Sequence, residues 1–158
     1  MTTPPPPPPP PPGYGPPPPY SGPPLAEWGS RVGATIIDGL IGIAIIIVAI
    51  ILGAVLGNVS NGLGALVLIL GYLAAFAFGI WQLVVQGQTG QTIGKKQLGI
   101  KLVQEADGQV LGAGLSIGRA FVHILDGIPC YLGYLWPLWD AKKQTFADKI
   151  LQTVVVRA

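Results

Sequence analysis

Charge is scarce in this sequence: of 158 residues only 10% are Asp, Glu, Lys or Arg, while 50% are hydrophobic. In a typical soluble domain about a quarter of the residues are charged, so this chain, with a mean hydropathy of +0.56, reads as a membrane protein. Cysteine is nearly absent as well. The single Cys130 excludes an internal disulfide and cannot by itself build a thiolate metal cluster. A net charge of +2 is too small for a nucleic-acid partner, which calls for a basic face. No nucleophile–base pair and no metal-ligand cluster appears, so no catalytic residue, metal or cofactor is expected, and an enzyme is the least supported class. The run "GQTGQTIGKK" only approaches a phosphate-binding loop: it has Thr89 where the first glycine is needed and Lys96 in place of Ser or Thr.

What the chain has instead is long apolar runs. From Trp28 to Leu56 only Arg31 and Asp38 interrupt the apolar residues, and from Leu63 to Val85 there is no charge at all. Each run exceeds the roughly 20 residues that an α-helix needs to cross a bilayer. The uncharged "GNVSNG" between them suits a tight turn, so the two form a transmembrane helical hairpin. Gly29, Gly33, Gly39 and Gly42 are expected to permit close helix approach. Lys95, Lys96, Lys101 and Arg119 all follow the second helix, whereas the turn has no basic residue. The positive-inside rule therefore puts that loop, and the N-terminus, in the cytoplasm.

A third apolar stretch, Arg119 to Trp139, holds His123, Asp126, Pro129 and Pro137. Proline breaks helices, and the basic residues Lys142, Lys143, Lys149 and Arg157 beyond it favour the cytoplasm. The preferred reading is a broken or re-entrant segment bent near "DGIP"; the alternative is one kinked crossing with the tail outside. His123, three residues before Asp126, is expected to form a surface or interfacial pair with it. The sequence "IKLV…ADGQ…VL" reads as two strands joined by an Asp107–Gly108 turn, a small cytoplasmic β-hairpin. The fold class is thus all-α integral membrane: a helical hairpin, a broken or re-entrant third segment and a small β-hairpin.

Residues 1–24 stand apart from the domain at 25–158. They carry most of the seventeen prolines and no charge, so an extended polyproline tail is expected. Tyr14 and Tyr20 are spaced anchors for a proline-binding protein partner, or the tail is a simple spacer. It has neither the basic region nor the apolar core of a signal peptide.

Arg31 with Asp38, "GQTIGKKQLGIKLV" followed by "DGQVL", Arg119, and "KKQTFADKILQTVVV" together resemble the RDD family of small multi-pass membrane proteins, named for one arginine and two aspartates. The resemblance runs from Leu25 to Val156. It assigns the arginine to Arg31, the first aspartate to Asp38 and the second to Asp148, with Asp126 as the competing candidate. Leu151-Gln152 departs from the Ala-Gly more usual before the Thr in that family. The resemblance implies ligand transport, with sodium/proton exchange among the activities linked to the family.

Arg31 and Asp38 are seven residues apart, about two turns and roughly 10 Å along one helix face. Arg31 can snorkel to headgroups, but the shorter Asp38 needs a partner, water or a proton, since a central charge costs about 3 kcal/mol on insertion scales. Such a carboxylate suits a proton or cation carrier; pairing that fixes helix packing is the structural alternative. Two function classes follow: a transporter coupled through Asp38, or an adaptor whose proline tail recruits a partner. The surroundings are the lipid bilayer of the cell membrane, and with so few crossings an enclosed path requires a homo-oligomer.

Overall fold

The computed structural model describes residues 20–158. The polyproline reading, with Tyr14 as an anchor, falls outside the described residues apart from positions 20–24.

Two helices dominate, α1 (Trp28–Gly57, 30 residues) and α2 (Asn61–Thr89, 29 residues). At 1.5 Å per residue each runs about 45 Å, more than the roughly 30 Å hydrocarbon core of a bilayer. Ile43, Ile51, Leu70, Leu73 and Phe76 are all more than half exposed, a surface that lipid covers at no cost and water does not. Both helices are long and apolar enough to cross a membrane. Their close contact lies elsewhere than expected. A Cβ added at Gly29, Gly39 or Gly42 meets nothing within 4 Å, and Gly33 faces Leu98. At Gly64 it would stand 2.7 Å from the Gly53 carbonyl oxygen, and at Gly71 2.0 Å from Ala49 Cβ. Gly53, Gly64 and Gly71 therefore let the helices touch, and the earlier glycines face outward or toward the loop.

The third apolar stretch is broken, as its prolines predict. It comprises α4 (Ala113–Val122), α5 (Ile124–Gly127), α6 (Leu132–Leu135) and a 3-10 turn (Trp136–Leu138). The 10 residues of α4 reach only about 15 Å, and the chain turns at Cys130 and Tyr131, with φ of 51° and 62°, directly after Pro129.

The expected β-hairpin is not formed. The Asp107–Gly108 turn exists, with Gly108 N donating to Gln104 O at 3.0 Å, but Val110 and Leu111 build no strand. Strand β1 (Ile100–Gln104) pairs antiparallel with the chain's last strand, β2 (Thr153–Arg157), in a register that sets Leu102 against Val155. Three consecutive buried valines, Val154–Val156, make the stronger strand, and Gly112, at φ 81°, diverts the nearer segment into α4. Ile100, Leu102 and Val155 bury one sheet face against Ala26 and Ala34, while Tyr20 and Leu25 pack on the other. Each fully buried aliphatic side chain contributes about 1.5–3 kcal/mol. The outer edge of β2 is held by Pro24–Ala26: Arg157 N donates to Pro24 O and Ala26 N to Val155 O, both at 2.8 Å. That pinning brings the start of α1 beside the C-terminal strand.

The architecture contains an internal repeat. Helix α3 (Ile93–Gln97) and helix α7 (Phe146–Ile150) are each five residues long and each capped by a threonine, Thr92 or Thr145. They end at Leu98 (φ −97°, ψ 8°) and Leu151 (φ −94°, ψ 4°), pass through positive φ at Gly99 and Gln152, and enter β1 and β2. The segments "QTIGKKQLGIKLV" and "QTFADKILQTVVV" align without a gap. Leu102 and Val155 are counterparts in that alignment and partners in the sheet, so a local two-fold axis passes through the pair. Upstream, "RVGATIIDG" in α1 matches "RAFVHILDG" in α4 and α5. Two copies of an Arg-helix-Asp-Gly element followed by a short helix and strand thus face each other.

Candidate functional site

Asp148 sits in the first turn of α7, inside a capping box with Thr145, and is fully buried. Its Oδ2 accepts from Arg31 Nη1 at 3.0 Å and from Thr145 N at 3.2 Å. Its Oδ1 accepts from Arg119 Nε at 3.1 Å, Arg119 Nη2 at 2.6 Å and Thr153 Oγ1 at 2.9 Å. Burial alone raises a carboxyl pKa; here the Arg119 and Arg31 guanidiniums outweigh it and hold Asp148 well below the usual carboxylate range. The first helix, the broken third segment and the C-terminal unit are therefore tied through one carboxylate.

Arg31 engages Asp148 and not its helix neighbour Asp38. Asp38 Oδ1 accepts from Gln82 Nε2 on α2 at 2.8 Å and from Gly94 N at the start of α3 at 2.7 Å; Gln82 Oε1 in turn accepts from Ile93 N at 3.2 Å. No hydrogen bond reaches Asp38 Oδ2 among the described residues. The close seating of α3 depends on Gly94, where a Cβ would lie 2.1 Å from Ala34 O.

Asp126 plays the same part for α7 that Asp38 plays for α3. Its Oδ1 accepts from Phe146 N at 2.8 Å and Ala147 N at 3.4 Å, and Ala147 is the counterpart of Gly94. His123 Nδ1 lies 2.5 Å from Asp126 Oδ2, its ring stacked on Tyr134 at 5.5 Å. The expected His123–Asp126 pair forms, and of its two expected settings, surface or interface, the exposed one is corrected: Asp126 is fully buried, because Phe146 N and Ala147 N at the start of α7 donate to its carboxylate.

These groups surround a cavity of about 580 Å³ whose wall includes Arg31, Asp38, Lys95, Arg119 and His123, with Trp28 and Ile36 on its apolar side. Lys95 Nζ donates to Gln86 Oε1, and Gln86 Nε2 to Ser116 Oγ at 3.2 Å. Burial, and next the positive charge of Arg119, lower the Lys95 pKa to about 7. Of the four residues singled out from sequence, Arg31 and Asp148 meet directly, Asp38 lines the cavity with Arg31, and Asp126 bonds His123, which lines it too. The sequence reading missed Lys95, Arg119, Gln82, Gln86 and Ser116 as site residues. Gln82 and Gln86 were visible as two amides one turn apart near the end of an uncharged helix.

A family model described as the RDD family matches residues 25–152. The chain belongs to the RDD family. Among the relatives of this RDD protein, the "Proline-rich antigen" of Mycobacterium leprae is 43% identical over 95 residues, covering 60% of this chain and 38% of that one. A "Proline-rich antigen homolog" of Mycobacterium tuberculosis is 52% identical over 71 residues, covering 45% and 30%. The "Uncharacterized protein YxaI" of Bacillus subtilis is 43% identical over 65 residues, covering 41% and 42%. The chain therefore spans less than half the length of these curated relatives. No solved structure matches it.

Proposed function

We propose that this RDD protein is an integral membrane transporter of an ion or small ligand, assembled from more than one copy, with Asp38 as the coupling carboxylate. The observation that carries this reading is Asp38 itself. It stands in the wall of a cavity that it shares with Arg31, Lys95 and Arg119, on a helix long enough to cross a membrane. One oxygen is committed to Gln82 and Gly94, and the other is left for a proton or cation. Intramembrane carboxylates facing a cavity are the usual ion and proton relays, and substrate sites of many transporters lie between structural repeats. The charged end of the hairpin gathers Lys96, Lys101, Lys142 and Lys149, which supports a cytoplasmic location for that end, for the N-terminus and for the C-terminus. The third segment then enters and leaves the membrane on the same side.

The test is proton and sodium flux into proteoliposomes. Asp38→Asn retains an oxygen to accept from Gln82 and Gly94, so membrane abundance is preserved while flux falls to background. Undiminished flux in Asp38→Asn refutes the coupling role.

A further inference from the structure

The two-fold repeat exposes a mismatch in charge. In the second unit, Arg119 presents its Nε–Nη2 edge to Asp148, both nitrogens bonding Oδ1. In the first unit the counterpart of Arg119 is Arg31, and the counterpart of Asp148 is Lys95. Arg31 reaches across to Asp148 with Nη1 alone. Its own Nε and Nη2 are buried and meet no hydrogen-bond partner among the described residues. The same guanidinium edge that is filled by a carboxylate in one unit is unfilled in the other, where the chain supplies a cation at the matching position.

Three basic side chains, Arg31, Arg119 and Lys95, line the cavity, and Asp148 is the carboxylate bonded to the arginines. Asp38 and Asp126 accept at the N-termini of α3 and α7, and Asp38 is about two turns, roughly 10 Å, along α1 from Arg31. A guanidinium Nε–Nη2 edge is a planar two-donor fork suited to two oxygens of one anion, and leaving buried charged donors unmet is costly. Trp28, Val32, Ile36 and Leu83 line the same cavity, and Ile36 is 54% exposed on α1. The cavity thus combines basic side chains with an apolar lining.

We propose that this cavity binds a phosphate-type oxyanion, free or as the headgroup of an acidic lipid, held between Lys95 and the Nε–Nη2 edge of Arg31 in the place where the repeat lacks its second carboxylate. This names the ligand chemistry of the cavity in which the transport reading places the coupling group, and it rests on that reading only for its purpose.

The experiment measures the unfolding midpoint of the full chain at fixed ionic strength. One arm titrates inorganic phosphate, against chloride, into protein in neutral maltoside micelles. The other compares nanodiscs of phosphatidylcholine with nanodiscs that also contain phosphatidylglycerol. A saturable rise with phosphate identifies a free oxyanion as ligand, and a rise with phosphatidylglycerol alone identifies a headgroup. No rise in either arm overturns the proposal. Lys95→Asp supplies the missing carboxylate, in a turn where Thr92 already accepts from the backbone N–H of residue 95. It should abolish either rise while leaving the ligand-free midpoint at or above that of the natural chain; a retained rise overturns the site. Should Lys95→Asp fail to fold, Lys95→Gln is read instead. Loss of one charge-assisted hydrogen bond weakens binding about tenfold to a hundredfold, and unchanged affinity overturns the assignment. Flux separates the two readings: binding without flux removes the transporter and keeps the site, whereas flux with no anion response removes the site and keeps the transporter.

Discussion

Replacing Asp148 by Asn tests whether one carboxylate holds the three parts of the domain together. The amide keeps the size of the side chain and one accepting oxygen, but two guanidiniums, Arg31 and Arg119, now face a neutral group in a fully buried position. Removing one partner of a buried ion pair costs about 3–5 kcal/mol, most of it the penalty of the charge left behind. For a chain of this size each kcal/mol shifts the thermal midpoint by about 2–4 °C, so a fall of at least about 6 °C in neutral micelles is expected. Adding Arg119→Gln to Asp148→Asn removes one stranded charge and should recover part of the loss. The pH dependence has a definite sign. Because the folded pKa of Asp148 is depressed, its contribution is complete above the unfolded carboxylate value of about 3.9 and fades as pH falls toward the lower folded value. The natural chain should lose stability steeply in acid, and Asp148→Asn should show a flatter acid limb. A midpoint change worth less than about 1 kcal/mol, the level of an exposed pair, would refute the reasoning.

Two further outcomes follow from backbone geometry. Gly94→Val forces a side chain into the Ala34 carbonyl, 2.1 Å from the Cβ position, and should destabilise by about 1–3 kcal/mol. Asp38→Ala, which removes the oxygen that accepts from Gly94 N, should then cost less in that background than alone, because α3 has already left the carboxylate; equal costs would contradict the coupling. In a Cys130→Ser chain, Lys101→Cys with Val156→Cys, which are cross-strand partners, should crosslink on oxidation. Lys101→Cys with Gly114→Cys, the partners that a two-residue Asp107–Gly108 turn would set, should not, and the reverse result would restore the β-hairpin.

The long elements were legible because their cause is local. An uncharged apolar run of more than 20 residues has one low-energy state in lipid, and the break after Asp126 follows from a proline two residues past a glycine. Strand pairing was not legible, since β1 had to choose between a near segment and a distant one. The choice rests on burial of Val154–Val156, a property of the packed chain. The glycines show the same limit: small residues recur along α1, and only the partner helix decides that Gly53 is used and Gly39 is not. Arg31 and Asp148 could be singled out by residue type and family resemblance, yet they meet across 117 residues of sequence. The repeat was readable in principle, because "RVGATIIDG" and "RAFVHILDG" share their spacing, but each match is short and becomes persuasive only when both arginines are seen on one carboxylate.

The two units diverge at a few positions with large physical effects. After the shared Asp-Gly step, α1 continues through Ile41, while the corresponding residue of the second unit is Pro129. A proline inside a helix removes a backbone bond and clashes with the preceding turn, at about 3 kcal/mol or more; α5 ends at Gly127 and α1 runs on to Gly57. The second exchange is Lys95 for Asp148. It leaves the second unit with its arginine fork bound to its own carboxylate and the first with a fork that meets no such group. The short unit is thereby electrostatically complete and serves as a fixed support, since every oxygen of Asp148 and Asp126 already accepts a hydrogen bond or faces His123. The long unit carries both sets of unmatched atoms among the described residues, Arg31 Nε and Nη2 and Asp38 Oδ2. Those are the groups on which the two proposals rest, so both place their chemistry on the arm that is long enough to cross the membrane.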